Sequence, residues 1–291
     1  MIDEYSKKEI EKISMELLRQ SKSLDIFPTP ITKIIAHSEL VVSERIDLSK
    51  VNSSFFQRSS ESLRLAMAKV RGFLDRRKRT IYLDYSQSAN RLGFVKLHEV
   101  GHHVLTWQAK TMEFLDDDES LDIHTKEQFE AEANFFASAT MFQNDRFRHE
   151  ASKLPLSIDS AKYLSKYFGS SIHAALRRLV EVSNNRCALL VLQKSSISEY
   201  TVRDKFHSPK FLEGFGELNM PDVLDGTLPF MRDCFSNRRY KKDGAISIAT
   251  LDGDIPFTYH FFNNTYNAFV FLFPVGEKKR SSTNFVVSVP A

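Results

Sequence analysis

The stretch His98-Glu99-Val100-Gly101-His102 constrains this chain more than any other part of its sequence. On a helix, residues four apart lie on one face, so the imidazoles of His98 and His102 can meet at a single metal ion. Glu99 follows the first histidine, where it is placed to take a proton from a water rather than to bind the metal. Apolar neighbours predict a largely buried helix from about Asn90 to Gln108.

A second stretch, Phe129–Ala137, offers the third ligand that such a site needs beside an open position for water. It contains two glutamates, Glu130 and Glu132. At about 100° per residue, Glu130 shares a helical face with Ala133 and Ala137, whose small side chains allow close approach to the first helix. Helical phase therefore favours Glu130 as the ligand and leaves Glu132 as the alternative.

The same reasoning gives roles to polar residues outside the ligand set. We expect Glu132 to face another part of the core or a basic residue such as Arg91 or Lys126. Asn134 lies one turn after Glu130, where it can hydrogen-bond a ligand. Two further histidines near the motifs can stabilise an oxyanion, and these are His103 and His124.

Three segments in this order, Thr80–Asp84, Arg91–His102 and Glu130–Ala137, resemble the ImmA/IrrE metallopeptidases. The resemblance includes the strand before the first helix and the E-x-x-A-N-x-F-A signature, and it covers roughly residues 10–150. Members of that family usually carry a short apolar run ending in proline after the signature. Ala139–Gln143 lacks this proline, a departure that concerns a helix end and leaves every ligand in place.

The resemblance implies a zinc-dependent endopeptidase in which His98, His102 and Glu130 hold Zn²⁺ and Glu99 is the catalytic base. Several members of the family cleave a helix-turn-helix repressor and so release a stress or mobile-element response. The resemblance also implies that Thr80–Asp84 is an edge strand over the site, to which an extended substrate can add by backbone hydrogen bonds.

The pattern along the chain predicts an α+β protein in three parts. Residues 1–150 would form a mostly helical, zincin-like peptidase domain with a small sheet, and residues 151–184 a helical hairpin. After Asn184-Asn185 the periodicity changes to that of strands, so residues 185–291 would form a sheet-based domain with one or two helices within 208–238. The resemblance implies that this domain is regulatory and sensor-like, as in the longer members of the family. The predicted strands of this domain are 187–192, 198–202, 245–251, 257–262, 268–273 and 285–289. Further strand candidates lie at Val41-Val42 and within residues 63–73.

Residues 155–183 have the spacing of a helix-turn-helix. Such a segment can bind DNA through its second helix, here with Ser171, His173, Arg177 and Arg178 in the major groove. That helix has few basic residues, so we favour a hairpin packed on the peptidase core. DNA binding, with a vestigial metal site, stays open as the alternative function, as does sequestering a repressor without cutting it.

Composition limits the classes of partner and the cellular compartment that we expect. The 291 residues carry a net charge of +3, which does not require a nucleic acid partner. The chain has no run of 18 apolar residues and no apolar segment near its first residue, so we expect a cytoplasmic protein with no membrane partner. Two cysteines, Cys187 and Cys234, are too few for a disulfide framework and are expected to be buried thiols. A basic run around Asp75 is expected to be a solvated hairpin turn, with a docking patch for an acidic partner or nucleic acid as the alternative; its residues are Arg71, Arg76, Arg77, Lys78 and Arg79.

Overall fold

The structure is a computed structural model that describes residues 2–50, 72–108, 111, 123–196, 199–218, 220–221, 223–224, 226–250 and 253–277. Helices and two sheets are both present, so the predicted α+β class is confirmed. The chain divides into two compact units, Met1–Phe147 with Lys166–Ser171, and Arg148–Ser165 with Ile172–Ala291. The boundaries expected at residues 150 and 184 remain predictions. The strand predicted at 285–289, and all of 63–73 before Gly72, lie outside the described residues.

The first unit is built around long helices. Its helices are α1 (Glu4–Gln20), α2 (Ile31–His37), α3 (Ala89–Val104) and α4 (Ile123–Phe142). Asp3 caps α1, because its carboxylate accepts a hydrogen bond of 2.9 Å from the backbone N–H of Ser6. Helices α3 and α4 lie close together at Gly101, where an added Cβ would be 3.3 Å from Cα of Ala133. Small residues at this crossing bring the two motif helices together.

A three-stranded sheet completes the first unit. Its strands are β1 (Val41–Asp47), β2 (Gly72–Asp75) and β3 (Thr80–Leu83), in the order β1-β3-β2. Strand β3 pairs with β1 in parallel and with β2 antiparallel, across the turn at residues 76–79. The expectation that Thr80–Asp84 is an edge strand is therefore wrong, because both of its sides are paired. Within the described residues, β2 is an edge of this sheet.

Two helices lie between the long helices and the second sheet in sequence, after the short helix α5 (Asp145–Ser152). These are α6 (Ile158–Phe168) and α7 (Ile172–Glu181), with a turn at Gly169 where φ is +69°. Helix α7 packs on two strands of the second unit, Ala188–Ser196 and Glu199–His207, and buries Ala175, Leu176, Leu179 and Val180. For α7 the contacts described are with the C-terminal sheet, and packing of the hairpin on the peptidase core stays a prediction.

The second unit contains a six-stranded antiparallel sheet in the order β6-β5-β4-β9-β8-β7. Its strands are β4 (Ala188–Ser196), β5 (Glu199–His207), β6 (Val223–Leu224), β7 (Tyr240–Thr250), β8 (Gly253–Asn263) and β9 (Ala268–Pro274). All seven residues of β9 are buried, which is typical of a strand with both faces covered. On one face, Ala268, Val270 and Leu272 join a cluster with helices α8 (Pro209–Phe215) and α9 (Pro229–Phe235).

Both cysteines are buried and free, as expected. No helix in the described part of the chain is long and apolar enough to span a bilayer.

Candidate metal centre

Three side chains from the two motif helices converge in the first unit. Nε2 of His98 lies 3.0 Å from Nε2 of His102. The carboxylate of Glu130 reaches both rings, with Oε2 at 3.4 Å from Nε2 of His98 and Oε1 at 3.4 Å from Nε2 of His102. One ligand atom from each residue lies within 4.8 Å of the other two. Two imidazole nitrogens and one carboxylate oxygen thus lie close enough together to bind one metal ion.

The donor set fits a zinc ion. Two histidines and a glutamate with a fourth position left open are a known ligand set of catalytic zinc. The His98 ring is only 1% exposed, and its Nδ1 has no hydrogen-bond partner among the described residues. Buried polar side chains normally have at least one hydrogen-bond or metal partner, so we expect that partner at the other ring nitrogen. Its other nitrogen is the one that points at His102 and Glu130.

Two ionisable groups of the cluster, Glu130 and His102, shift each other's pKa values toward their charged forms. Burial alone would raise the pKa of Glu130, but hydrogen bonds that the protonated rings of His102 and His98 donate outweigh it and hold that pKa well below its usual range. Burial likewise works to lower the pKa of His102, yet the hydrogen bond to Glu130 and the negative charges of Glu99 and Glu130 raise it overall. The site therefore favours positive charge between the ring nitrogens and the carboxylate, which is what a cation would supply.

Glu99 lies beside this cluster and is not part of it. Its side chain is 4% exposed, and burial raises its pKa, opposed in part by the positive charges of His98 and His102. Strand β2 covers it closely, because a Cβ at Gly72 would be 3.0 Å from Oε1 of Glu99 and 2.3 Å from Cγ1 of Val95. Gly72 was not singled out from the sequence, although a glycine beginning an apolar strand is a sign of close approach by another group.

A hydrogen-bonded chain links His102 to Glu132. Nδ1 of His102 is 2.8 Å from Oε1 of Gln108, and Nε2 of Gln108 donates to Oε2 of Glu132 at 2.8 Å. Glu132 also accepts from Nε1 of Trp107 at 2.7 Å and from Nε2 of Gln128 at 3.0 Å. Of the two expectations for Glu132, placement in the core is the one found, because its side chain is buried and is held by neutral N–H donors rather than by Arg91 or Lys126.

The remaining expected site residues lie apart from the three ligands. Asn134 is exposed and makes no hydrogen bond to the ligands within the described part of the chain. His124 is exposed at the beginning of α4. His103 is half-buried, and burial, with the charges of Arg76 and Arg79, lowers its pKa. None of these three belongs to the group that can hold a metal.

The residues considered for DNA contact lie in the second unit, apart from Ser171. Nε of Arg177 is 2.7 Å from Oε1 of Glu181, and its guanidinium lies over the ring of Phe206 at 5.0 Å. Arg178 is mostly buried and reaches the same glutamate at 3.6 Å. His173 lies 3.9 Å from Asp204. Glu181 pairs with both arginines and offsets one of their two positive charges, so α7 does not present a strongly basic face.

Comparison with known proteins agrees with the motifs. A family model, the IrrE N-terminal-like domain of Peptidase_M78, matches residues 59–180. A solved structure described as a Mycobacterium tuberculosis transcriptional regulator has 10% sequence identity and a TM-score of 0.55, over 91% of this chain and 75% of that chain. At this identity the likeness concerns the fold alone. No curated protein matches the chain. The resemblance drawn from the motifs is thus confirmed by the match of residues 59–180 to the model of the IrrE N-terminal-like domain.

Proposed function

We propose that this chain is a zinc-dependent endopeptidase that regulates gene expression by cutting a partner protein. The observation that carries the proposal is the convergence of His98, His102 and Glu130 beside the buried carboxyl group of Glu99. The M78 domain supports peptide-bond hydrolysis as the reaction class. The resemblance to ImmA/IrrE proteins nominates a helix-turn-helix repressor as the substrate.

His98, His102 and Glu130 would hold the zinc ion. When bound there, zinc supplies a Lewis acid that activates a water and polarises the scissile carbonyl. Glu130 would contribute the single negative charge of the ligand set, so Zn²⁺ held by it and two neutral imidazoles would keep a net positive charge.

Glu99 would move the proton. Burial raises the pKa of Glu99 toward the pH at which the protein would work. A carboxyl group with such a pKa can both take a proton from a water and give it to the leaving amine. Its burial under β2 keeps bulk water away from that proton. Glu99 contributes no ligand atom to the proposed ion, so its role is separate from metal binding.

Strand β2 would align the substrate. Its pairing with β3 uses one side, and no described strand pairs with the other. An extended peptide can add to such an edge through backbone hydrogen bonds. Gly72 begins this strand directly over Glu99, so a peptide bound there would pass the proposed base. The strand that was expected to do this, Thr80–Asp84, lies at the centre of the sheet.

The test is cleavage of a purified helix-turn-helix repressor by the purified chain, followed by mass spectrometry of the fragments. We expect one or a few defined cuts, loss of cutting after zinc chelation, and recovery when zinc is restored. His102→Ala should fail to cut, and His124→Ala, which changes an exposed histidine outside the cluster, should cut normally. Cutting that persists in His102→Ala after chelation would contradict the proposal.

A further inference from the structure

The hydrogen-bonded chain from Glu132 through Gln108 to His102 has a direction, and this direction can be read from the chemistry of its members. A carboxylate only accepts hydrogen bonds, and a backbone carbonyl does the same. Nε2 of Gln108 lies 2.8 Å from Oε2 of Glu132 and 3.2 Å from the backbone oxygen of Phe129. Two acceptors therefore fix the amide nitrogen on that side, and Oε1 of Gln108 must face His102.

The orientation of Gln108 determines the proton on His102. Oε1 of an amide can only accept, and it lies 2.8 Å from Nδ1 of His102. Nδ1 must therefore carry the hydrogen and donate. In the neutral ring this leaves Nε2 with its lone pair, and Nε2 is the atom that faces His98 and Glu130.

We propose that Glu132 is a positioning residue that, through Gln108, holds His102 in the Nδ1–H tautomer and so presents Nε2 as a metal ligand. The inference rests on the proposed metal site for its purpose, although the tautomer itself is a property of the metal-free chain. Partners of this kind commonly orient ligating histidines, and losing one commonly costs about 10–100-fold in metal affinity.

The packing around Glu132 agrees with a fixed direction. Glu132 is 1% exposed and Gln108 is fully buried, so water does not compete for their hydrogen bonds. Trp107 donates to the same oxygen as Gln108, and Gln128 donates to the other. Three N–H donors thus hold a carboxylate that no cation meets within the described residues, and no donor from Glu132 is available to turn the amide of Gln108 around.

The three members of this hydrogen-bonded chain come from two places in the sequence, with His102 and Gln108 only six residues apart. Helix α3 ends at Val104, and after a break at Leu105 Gln108 lies in the helical residues 106–108. Glu132 comes from α4, the helix that also carries Glu130. One helix thus supplies both the ligand Glu130 and, two residues later, the group that would orient the second histidine. This explains two glutamates in one motif without requiring both as ligands.

The experiment reads the tautomer directly in the metal-free protein. Histidine ring nitrogens are labelled with ¹⁵N, and long-range ¹H–¹⁵N spectra of the full chain are recorded over a pH series until the His102 signals stop moving. We expect a protonated Nδ1 and an unprotonated Nε2 in the wild type. The Glu132→Gln variant keeps an oxygen that can accept from Gln108 and should keep this pattern. Glu132→Leu and Gln108→Leu should shift His102 toward a mixture of tautomers.

Zinc affinity provides the second readout, measured by competition with a chelating indicator. We expect Gln108→Leu and Glu132→Leu to bind zinc about 10–100-fold more weakly, and Glu132→Gln to remain within a few-fold of the wild type. Gln128→Ala is the matched control, because it removes a hydrogen bond to Glu132 but none to Gln108. Circular dichroism confirms that each variant is folded, and Glu132→Gln and Gln108→Leu suffice if Glu132→Leu is not.

The outcomes separate this inference from the proposed function. A wild-type His102 that carries its proton on Nε2, or wild-type affinity in folded Gln108→Leu, would overturn the role of Glu132. A chain that shows the expected tautomer but binds no zinc would instead refute the proposed metal centre and leave the tautomer assignment standing.

Discussion

Glu99 is the residue whose loss should separate metal binding from chemistry. Glu99→Gln keeps the size of the buried side chain but removes its ability to take a proton. Because the ligand atoms come from His98, His102 and Glu130, we expect stoichiometric zinc in this variant. Cleavage of a repressor substrate should fall by about 10²–10⁴-fold, the usual contribution of a general base. Zinc content and initial cleavage rates measure the two effects.

The control for this change is Glu127→Gln, which alters an exposed glutamate on α4 and should leave both quantities unchanged. Cleavage at the wild-type rate by zinc-loaded Glu99→Gln would remove Glu99 from the mechanism.

The two thiols should be unreactive while the chain is folded. Burial raises the pKa of Cys187 to about 11 and that of Cys234 to about 12. The thiolate is the reactive form, so iodoacetamide at pH 8 should modify neither residue within the time that labels both in the urea-unfolded chain. The pKa values of these thiols are higher in the folded chain than in the unfolded chain, so the two thiols contribute to the free energy of unfolding below about pH 9. This contribution is lost as the pH rises from about 9 to 12. Rapid labelling of either cysteine in the folded chain at pH 8, followed by mass spectrometry, would contradict the burial.

At the scale of elements, the contact between β2 and α3 sets the position of Glu99. Gly72→Ala would place a methyl group 2.3 Å from Cγ1 of Val95, closer than real side chains come, so the strand or the helix must move. We expect a loss of about 1–3 kcal/mol in the free energy of unfolding from this overpacking, together with slower cleavage. Urea unfolding and cleavage rates test both expectations.

Gly214→Ala on α8 is the control for adding a methyl group, because its added Cβ would meet the nearest atom at 3.7 Å, an ordinary contact. Full activity and full stability in Gly72→Ala would show that β2 is not held against Glu99.

The elements also show which features of the site are readable from sequence. Spacing alone places His98 and His102 on one face, and helical phase distinguishes Glu130 from Glu132, because both depend on residues within one helix. The central place of β3 depends on β1, more than thirty residues earlier, and nothing in the four residues of β3 encodes it. Gln108 was missed because its role depends on the end of α3 and on a glutamate of another helix. Pairings between distant segments are therefore what the motifs leave undetermined.

At the scale of the whole molecule, the second unit is assembled from separated parts of the chain. Its sheet begins at Ala188, yet α7, which precedes it, packs on β4 and β5. The ring of His173 on α7 lies 5.6 Å from that of Phe269 on β9. The change in periodicity after Asn184-Asn185 marks where the strands begin. Helix α7 lies before that change, yet it packs on the sheet, so the second unit begins earlier in the chain than its first strand.

The last prediction compares two fragments, residues 172–291 and residues 186–291. Only the longer one keeps α7, whose buried residues Ala175, Leu176, Leu179 and Val180 would otherwise leave the sheet uncovered. Fully burying a large aliphatic side chain contributes about 1.5–3 kcal/mol, so we expect the longer fragment to be soluble with a cooperative urea transition. The shorter one should unfold at lower urea concentration or aggregate. In the longer fragment, Arg177→Ala should change the midpoint little, because that side chain is 57% exposed, whereas Leu176→Ala should lower it clearly. Equal midpoints for the two fragments would mean that the sheet is stable without α7 and that the boundary near residue 185 describes an independently folding domain.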